Sequence, residues 1–337
     1  MITFYSSPIG LGHSTRDIAI AEKLKTDVLF VSGEGASRLI ARKGFNVLDV
    51  YRPAKFIVDS GQLQHLSRWV LNYYLYYKRC KAIAKEILYD RYNGLIVSDE
   101  DFASLAVGKE MNQRCVLITD VIETCFTNGL VSIIEKKMNK SMHEIMRACE
   151  CIIIPEIGED KDNIRYVGPI VRHTSSDRNT LRKQFGFEKR TILVSGGGTD
   201  AGKYLIEKTI EVHCKLQNML DSELIVVSGP SIKLPDSQQY LNLGFVDNMH
   251  DLICAVDLVI SLAGRSTIDE SIAYGTPGIF IPIKNHFEQE NNAAQLGFMY
   301  EDLFRLDQLI QEKIGRRSNA VNTQGAARAA KIISTYV

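Results

Sequence analysis

Thr191-Ile192-Leu193-Val194-Ser195-Gly196-Gly197-Gly198-Thr199-Asp200 reads as a short β-branched strand that runs into three consecutive glycines, with helical spacing resuming beyond them. Strand, glycine turn and helix, in that order, open a βαβ unit. Consecutive glycines expose backbone N–H groups that can wrap a diphosphate without a cationic side chain, and the helix start behind them adds the positive end of its dipole. Gly197 to Lys203 spells GxxxxGK, the opening of a P-loop, but Tyr204 stands where that motif needs a magnesium-holding hydroxyl. Plain turns also use glycine runs, so neighbouring segments must carry part of the argument.

Outward from that stretch, the same unit recurs along the chain. Apolar runs at residues 3–7, 28–32, 47–51, 95–98, 116–119 and 152–155 alternate with helical spacing, and runs at 191–195, 224–228, 241–245, 258–261 and 278–282 repeat the alternation. This pattern predicts an α/β protein with mostly parallel sheets. Its 337 residues exceed one ordinary doubly wound domain and suit two. Gly168-Pro169 punctuates a run over 164–177 that reads as an interdomain linker, which places Rossmann-like domains at 1–170 and 171–320. The alanine-rich segment 321–337 is expected to form a helix that packs back on the first domain. Ligands of open α/β sheets bind outside the carboxyl ends of the strands, so chemistry is expected in the loops there, in a cleft between the halves.

Composition narrows the function classes. Forty Lys+Arg against forty Asp+Glu give zero net charge, which argues against the basic field of a nucleic-acid binder. Seven cysteines, an odd number and several inside apolar runs, fit the buried reduced thiols of a cytoplasmic protein. Cys149-x-Cys151 has no second Cys/His pair at finger-like spacing, so no metal is expected. The N-terminal run lacks the basic flank of a leader and no run of eighteen apolar residues occurs, so neither secretion nor a membrane span is expected.

Three further loops carry chemistry. Gly10-Leu11-Gly12-His13-Ser14-Thr15-Arg16 follows the first strand and opens a helix, where glycines admit close backbone approach and the helix start favours an anionic or polar ligand. A dinucleotide fingerprint would want glycine where Thr15 stands, and His13 and Arg16 would crowd a pyrophosphate. His13 reads either as a structural histidine at a helix start or as a general base. In the segment 261–277, Ser266 or Thr267 with Glu270 matches a capping box, and the same carboxylate would equally suit the two hydroxyls of a ribose. The cluster His286-Phe287-Glu288-Gln289-Glu290-Asn291-Asn292 is either a solvated helix start or a set of donors and acceptors for sugar hydroxyls.

Taken in order, these segments resemble the GT-B glycosyltransferases, above all the MurG-like branch of family 28 C-terminal type, which moves a sugar from a UDP-sugar to a lipid-linked or other acceptor. The resemblance covers most of the chain, and its specificity lies in the ordered set. It implies two Rossmann-like domains facing each other across a cleft. Gly10, Gly12, His13 and Arg16 look like the acceptor-side loop, and Arg172 looks like the phosphate-contacting arginine after the interdomain Gly-Pro. Ser195, Gly196, Gly197, Gly198 and Thr199 match the diphosphate loop, joined by Ser266 and Thr267. Phe245, Val246 and Met249 fall in the uracil-recognising segment, Glu270 takes the ribose hydroxyls, and His286, Glu288, Gln289 and Asn292 resemble the donor-sugar motif. A metal-free reaction follows from the resemblance: His13 takes the acceptor proton and inverts the anomeric centre, while the glycine loop and Arg172 stabilise the departing diphosphate. No cofactor beyond the nucleotide-sugar substrate is expected.

The Gly-x-Gly-His-x-x-Arg-Asp form of residues 10–17 also looks like the UDP-sugar hydrolase of pseudaminic acid biosynthesis, which uses the same fold and gives the sugar to water. A UDP-sugar 2-epimerase and a non-catalytic nucleotide-sugar-binding subunit are the other two alternatives. Residues 63–81 hold the single tryptophan, four tyrosines and four basic residues on one expected helix. That composition reads either as a core helix or as a docking face for a lipid-linked acceptor at the cytoplasmic face of an anionic membrane.

Overall fold

A strand buried at every position must lie inside a sheet covered on both faces, and the strand Ile2–Ser6 is buried at all five positions. The computed structural model describes residues 1–90, 94–125, 132–174, 176–198, 200–229, 231–235, 237–321 and 323–337. Its first strands are β1 (Ile2–Ser6), β2 (Val28–Ser32), β3 (Asn46–Asp49), β4 (Ile57–Asp59), β5 (Gln62–Gln64), β6 (Leu95–Asp99), β7 (Cys115–Ile118), β8 (Cys151–Ile154) and β9 (Ile164–Tyr166). Seven of them form a parallel sheet in the order β3-β2-β1-β6-β7-β8-β9. Between them run α1 (Gly12–Ala21), α2 (Glu34–Arg42), α3 (Leu66–Tyr89), α4 (Phe102–Glu110) and α5 (Ser132–Met146). Neighbouring residues of β1 serve opposite faces. Tyr5 joins a buried cluster with Cys80 and Leu88 of α3, Leu105 of α4 and Ile145 of α5, while Phe4 stacks on Phe30 at 5.0 Å.

The second sheet is also parallel. It contains β10 (Arg190–Ser195), β11 (Ser222–Val227), β12 (Leu241–Asn242), β13 (Leu258–Leu262) and β14 (Gly278–Ile281) in the order β12-β11-β10-β13-β14. Its helices are α6 (Arg178–Phe185), α7 (Lys203–Leu220), α8 (Met249–Ala255), α9 (Arg265–Ala273), α10 (Phe287–Gln295) and α11 (Leu306–Lys313), and the chain ends in α12 (Gly325–Ser334). Two doubly wound α/β units result. One comprises Met1–Phe56, His65–Val171 and Thr323–Val337, the other Ile57–Gln64 and Arg172–Asn322.

Three features depart from the sequence reading. The expected linker begins as a strand: β9 pairs with β8, and Ile164 and Tyr166 pack against the first core. Residues 57–64, read as part of the first domain, form an antiparallel hairpin in the second unit. There Leu63 N–H donates to Lys284 O at 3.0 Å, Lys284 N–H donates to Gly61 O at 2.9 Å, and Tyr300 Oη–H donates to Ser60 O at 2.6 Å. The expected strand at 241–245 is cut to two residues, β12. Helix α12 lies in the first unit beside α1. A Cβ on Gly325 would stand 2.2 Å from the Pro169 carbonyl, so only glycine lets α12 begin there.

In each sheet the connections reverse direction once, between β1 and β6 and between β10 and β13. Loops diverge at such switch points and leave a crevice outside the strand ends. The segment with His13 leaves β1, whose Ser6 is in register with Asp99 of β6. The glycine loop leaves β10, whose Ser195 is in register with Ser261 of β13.

Candidate active site

In the first unit, the switch point gathers charge. His13 stands at the start of α1, where Leu11 caps the helix without a side-chain hydrogen bond. Its Nδ1 lies 3.1 Å from Asp99 Oδ1, and Nε2 lies 3.7 Å from Glu100 Oε2. A carboxylate at Nδ1 favours the tautomer with a proton there and the lone pair on Nε2. Arg16 Nη2 lies 3.2 Å from the same Nδ1. Its guanidinium grips Asp99 with two hydrogen bonds of 2.5 Å and reaches Asp120 at 3.5 Å. Arg16, expected to face the acceptor, is thus buried and committed to carboxylates. Gly10, at φ +82°, and Gly12 shape the turn that brings His13 there.

The acids of this cluster are shifted in opposite directions. Burial works against ionisation of Asp99, yet Arg16 and His13 hold its carboxyl well below the usual range. Burial also opposes ionisation of Asp120, which Arg16 nevertheless holds down to about 2. Burial and the Asp120 charge push Glu100 well up, and burial with Asp99 does the same to Asp17. Two acids held down and two pushed up thus lie around one arginine. A carboxylate-held imidazole, 18% exposed, can take a proton from a hydroxyl. Sequence reading missed Asp99, Glu100 and Asp120. The available signal was Ser98-Asp99-Glu100-Asp101, three acids at the end of a buried strand.

In the second unit, bare backbone dominates. Gly197 adopts φ +77°, where any other residue is strained, and its N–H donates to Ser195 Oγ at 3.3 Å. The glycines lead into a short 3₁₀ turn, Asp200–Gly202, and α7 starts only at Lys203. Lys203 is exposed and pairs with Glu207 at 3.6 Å, unlike a P-loop lysine. Thr199 lies outside the described residues.

Around the β13 turn, the capping-box reading fails. Helix α9 starts at Arg265 with Gly264 as N-cap, so Ser266 and Thr267 sit inside its first turn. Glu270 is buried and accepts a hydrogen bond from Arg172 Nε at 3.0 Å. Arg172 Nη1 donates to the Asp247 carbonyl at 2.9 Å, and Tyr274 Oη–H donates to the Arg172 carbonyl. Val246 and Met249 pack against the second core beside Leu252, and Phe245 precedes them, partly buried. His286 is the N-cap of α10, and burial pushes its imidazole down to about 4. Gln289 Oε1 accepts the Ile283 N–H at 3.1 Å, and Asn292 Nδ2 donates to Ala263 O at 3.3 Å. Glu288 lies half-buried in the first turn of α10. Two of the four expected sugar contacts thus tie strand ends together. Among the described residues, no cluster suited to a metal occurs.

Helix α3 divides its aromatic residues. Trp69 stacks on Phe56 and Tyr73, at 4.5 and 5.2 Å, and Tyr76 and Tyr77 pack on the first core. Leu71, Tyr74 and Leu75 are exposed beside Arg68, Lys78 and Arg79. Among the described residues, no helix is long and apolar enough to cross a membrane.

Residues 191–315 match the glycosyltransferase family 28 C-terminal domain. An uncharacterized glycosyltransferase of Methanopyrus kandleri is 24% identical over 71% of this chain and 75% of its own length. The UDP-N-acetylglucosamine--N-acetylmuramyl-(pentapeptide) pyrophosphoryl-undecaprenol N-acetylglucosamine transferase of Thermosipho africanus is 32% identical over 34% of each chain. The crystal structure of Acinetobacter baumannii MurG superposes with a TM-score of 0.58 and 13% identity over 99% of both chains, a likeness of fold.

Proposed function

We propose that this chain is a glycosyltransferase of the GT-B, MurG-like type that moves a sugar from a UDP-sugar to a hydroxyl acceptor with inversion, His13 acting as base. The observation that carries the reading is the contact of His13 Nδ1 with Asp99 at 3.1 Å, which favours the tautomer whose lone pair is on Nε2. The acceptor oxygen attacks the anomeric carbon as its proton passes to Nε2, and the sugar–phosphate bond breaks with the electron pair leaving on the diphosphate. Charge growing on that diphosphate is met by the N–H groups of Gly196 to Gly198 and the first turns of α7 and α9, so the reaction needs no metal.

Glu270 takes the ribose diol, the 245–249 segment takes the base, and His286, Glu288, Gln289 and Asn292 line the sugar end. The Thermosipho relative, as its name states, uses UDP-N-acetylglucosamine and a pyrophosphoryl-undecaprenol acceptor. A lipid-linked acceptor at the cytoplasmic face of a membrane is supported by the exposed strip of Leu71, Tyr74 and Leu75 among basic residues on α3. The Arg16-Asp17 ending of the first loop favours hydrolysis as a second reading, since a dyad that activates a hydroxyl also activates water. Release of UDP from a UDP-sugar panel, with and without lipid extract, separates the two. Transfer predicts release that rises at least tenfold with extract, together with a glycosylated product. Free sugar at full rate without extract contradicts transfer.

A further inference from the structure

Arg172 opens the longer segment of the second unit, Arg172–Asn322, and is only 6% exposed. Among the described residues, its hydrogen-bond partners all belong to the segments that the reading above gives to the nucleoside or directly follow them. Nε holds Glu270 Oε1 at 3.0 Å, Nη1 holds the Asp247 carbonyl at 2.9 Å, and its own carbonyl is held by Tyr274, the C-cap of α9. Among the described residues it makes no hydrogen bond to the 195–198 loop. The guanidinium therefore bridges a side chain of α9 to the backbone just before α8.

We propose that Arg172 is a positioning residue for nucleoside recognition, fixing the Glu270 carboxylate and the 247–249 backbone in one register, and that it is not the counter-charge of the diphosphate. This rests on the nucleotide-sugar reading above and corrects the phosphate role that resemblance assigns to Arg172. The physical reason lies in geometry. A guanidinium presents donors in a fixed fork, so two acceptors gripped by its Nε and Nη1 cannot move independently. Glu270 keeps Oε2 for the vicinal hydroxyls of a ribose, and because its carboxylate is already desolvated and aimed, binding does not have to order it. Swinging Arg172 onto a phosphate would instead abandon a buried carboxylate, which costs more than one exposed contact returns.

The test is calorimetric titration of uridine, UMP, UDP and 2′-deoxy-UDP into wild type, Arg172→Gln, Glu270→Gln and the double variant. The double variant replaces the ion pair by two amides, so no charge is left buried and unpaired. Positioning predicts that Arg172→Gln weakens uridine, UMP and UDP by a common factor of about tenfold or more. The factor shrinks for 2′-deoxy-UDP, and in the Glu270→Gln background it falls within about twofold. A merely structural role would lower the fraction of competent sites and leave the 2′-deoxy comparison unmoved, which also contradicts the proposal. A penalty that climbs from uridine to UDP, or persists in full beside Glu270→Gln, overturns it and restores the phosphate contact. Wild type that binds no uridine ligand would instead bring down the donor reading and, with it, this one.

Discussion

The two switch points are built from different materials. Outside β1 and β6, side chains do the work: one imidazole, one arginine and three carboxyls lie within 3.8 Å contacts of one another. Outside β10 and β13, backbone dominates, with consecutive glycines and a helix that begins at a glycine N-cap. Proton transfer needs a group whose charge can change, and such a group must be held in one tautomer by charged neighbours. A leaving diphosphate needs fixed dipoles that do not titrate, and backbone N–H groups provide them without reorganisation. The contrast teaches that the crevice proposed for proton transfer is built from one arginine and three carboxyls, whereas the crevice proposed for the diphosphate is built mainly from backbone.

That contrast can be broken from either side. The largest effect is expected from Asp99→Asn, which keeps the shape and removes the charge that selects the His13 tautomer. Steady-state assays should show kcat down by about 10² or more with donor KM within about twofold. An unchanged kcat would mean that Arg16, not His13, is the residue Asp99 serves. A smaller and opposite pattern is expected for Gly197→Ala. Its Cβ would meet nothing within 4 Å, so the penalty is confined to the φ of +77°, about 1–2 kcal/mol. Thermal denaturation should drop by a few degrees, and titration should show UDP affinity about tenfold weaker. The same loss in kcat as Asp99→Asn, with donor affinity intact, would erase the distinction between the two crevices.

Much of this arrangement was legible in the sequence, for reasons that name their own limits. Strands β1, β2, β6, β10 and β13 are mostly apolar because both faces are covered, and an apolar run ending in glycine or a polar turn is a signal contained in one window. The glycine loop and the His13 turn are contiguous and were readable for that reason. Asp99 was not, because it meets His13 across 86 positions and only the pairing of β1 with β6 brings them together. The hairpin 57–64 was lost the same way, its partner Lys284 lying in the other half of the chain. Residues 266–270 misled in the opposite direction. Their spacing suits a cap, but the turn at Gly264 starts α9 early and carries Glu270 inward to Arg172. On α3, composition alone could not say which tyrosines face in. Tyr73 and Tyr76 pack together with tilted rings, Tyr76 against the first core, whereas Tyr74 stays out beneath Lys78, 4.7 Å from its ring.

The most direct test of His13 as base is chemical rescue. His13→Ala should lose about 10² to 10⁴ in transfer rate at saturating UDP-sugar and acceptor, and added free imidazole should restore a good part of it in proportion to the concentration of neutral imidazole. Transfer by His13→Ala within a few-fold of wild type, or a large loss that imidazole leaves untouched while UDP affinity falls in parallel, would contradict the account.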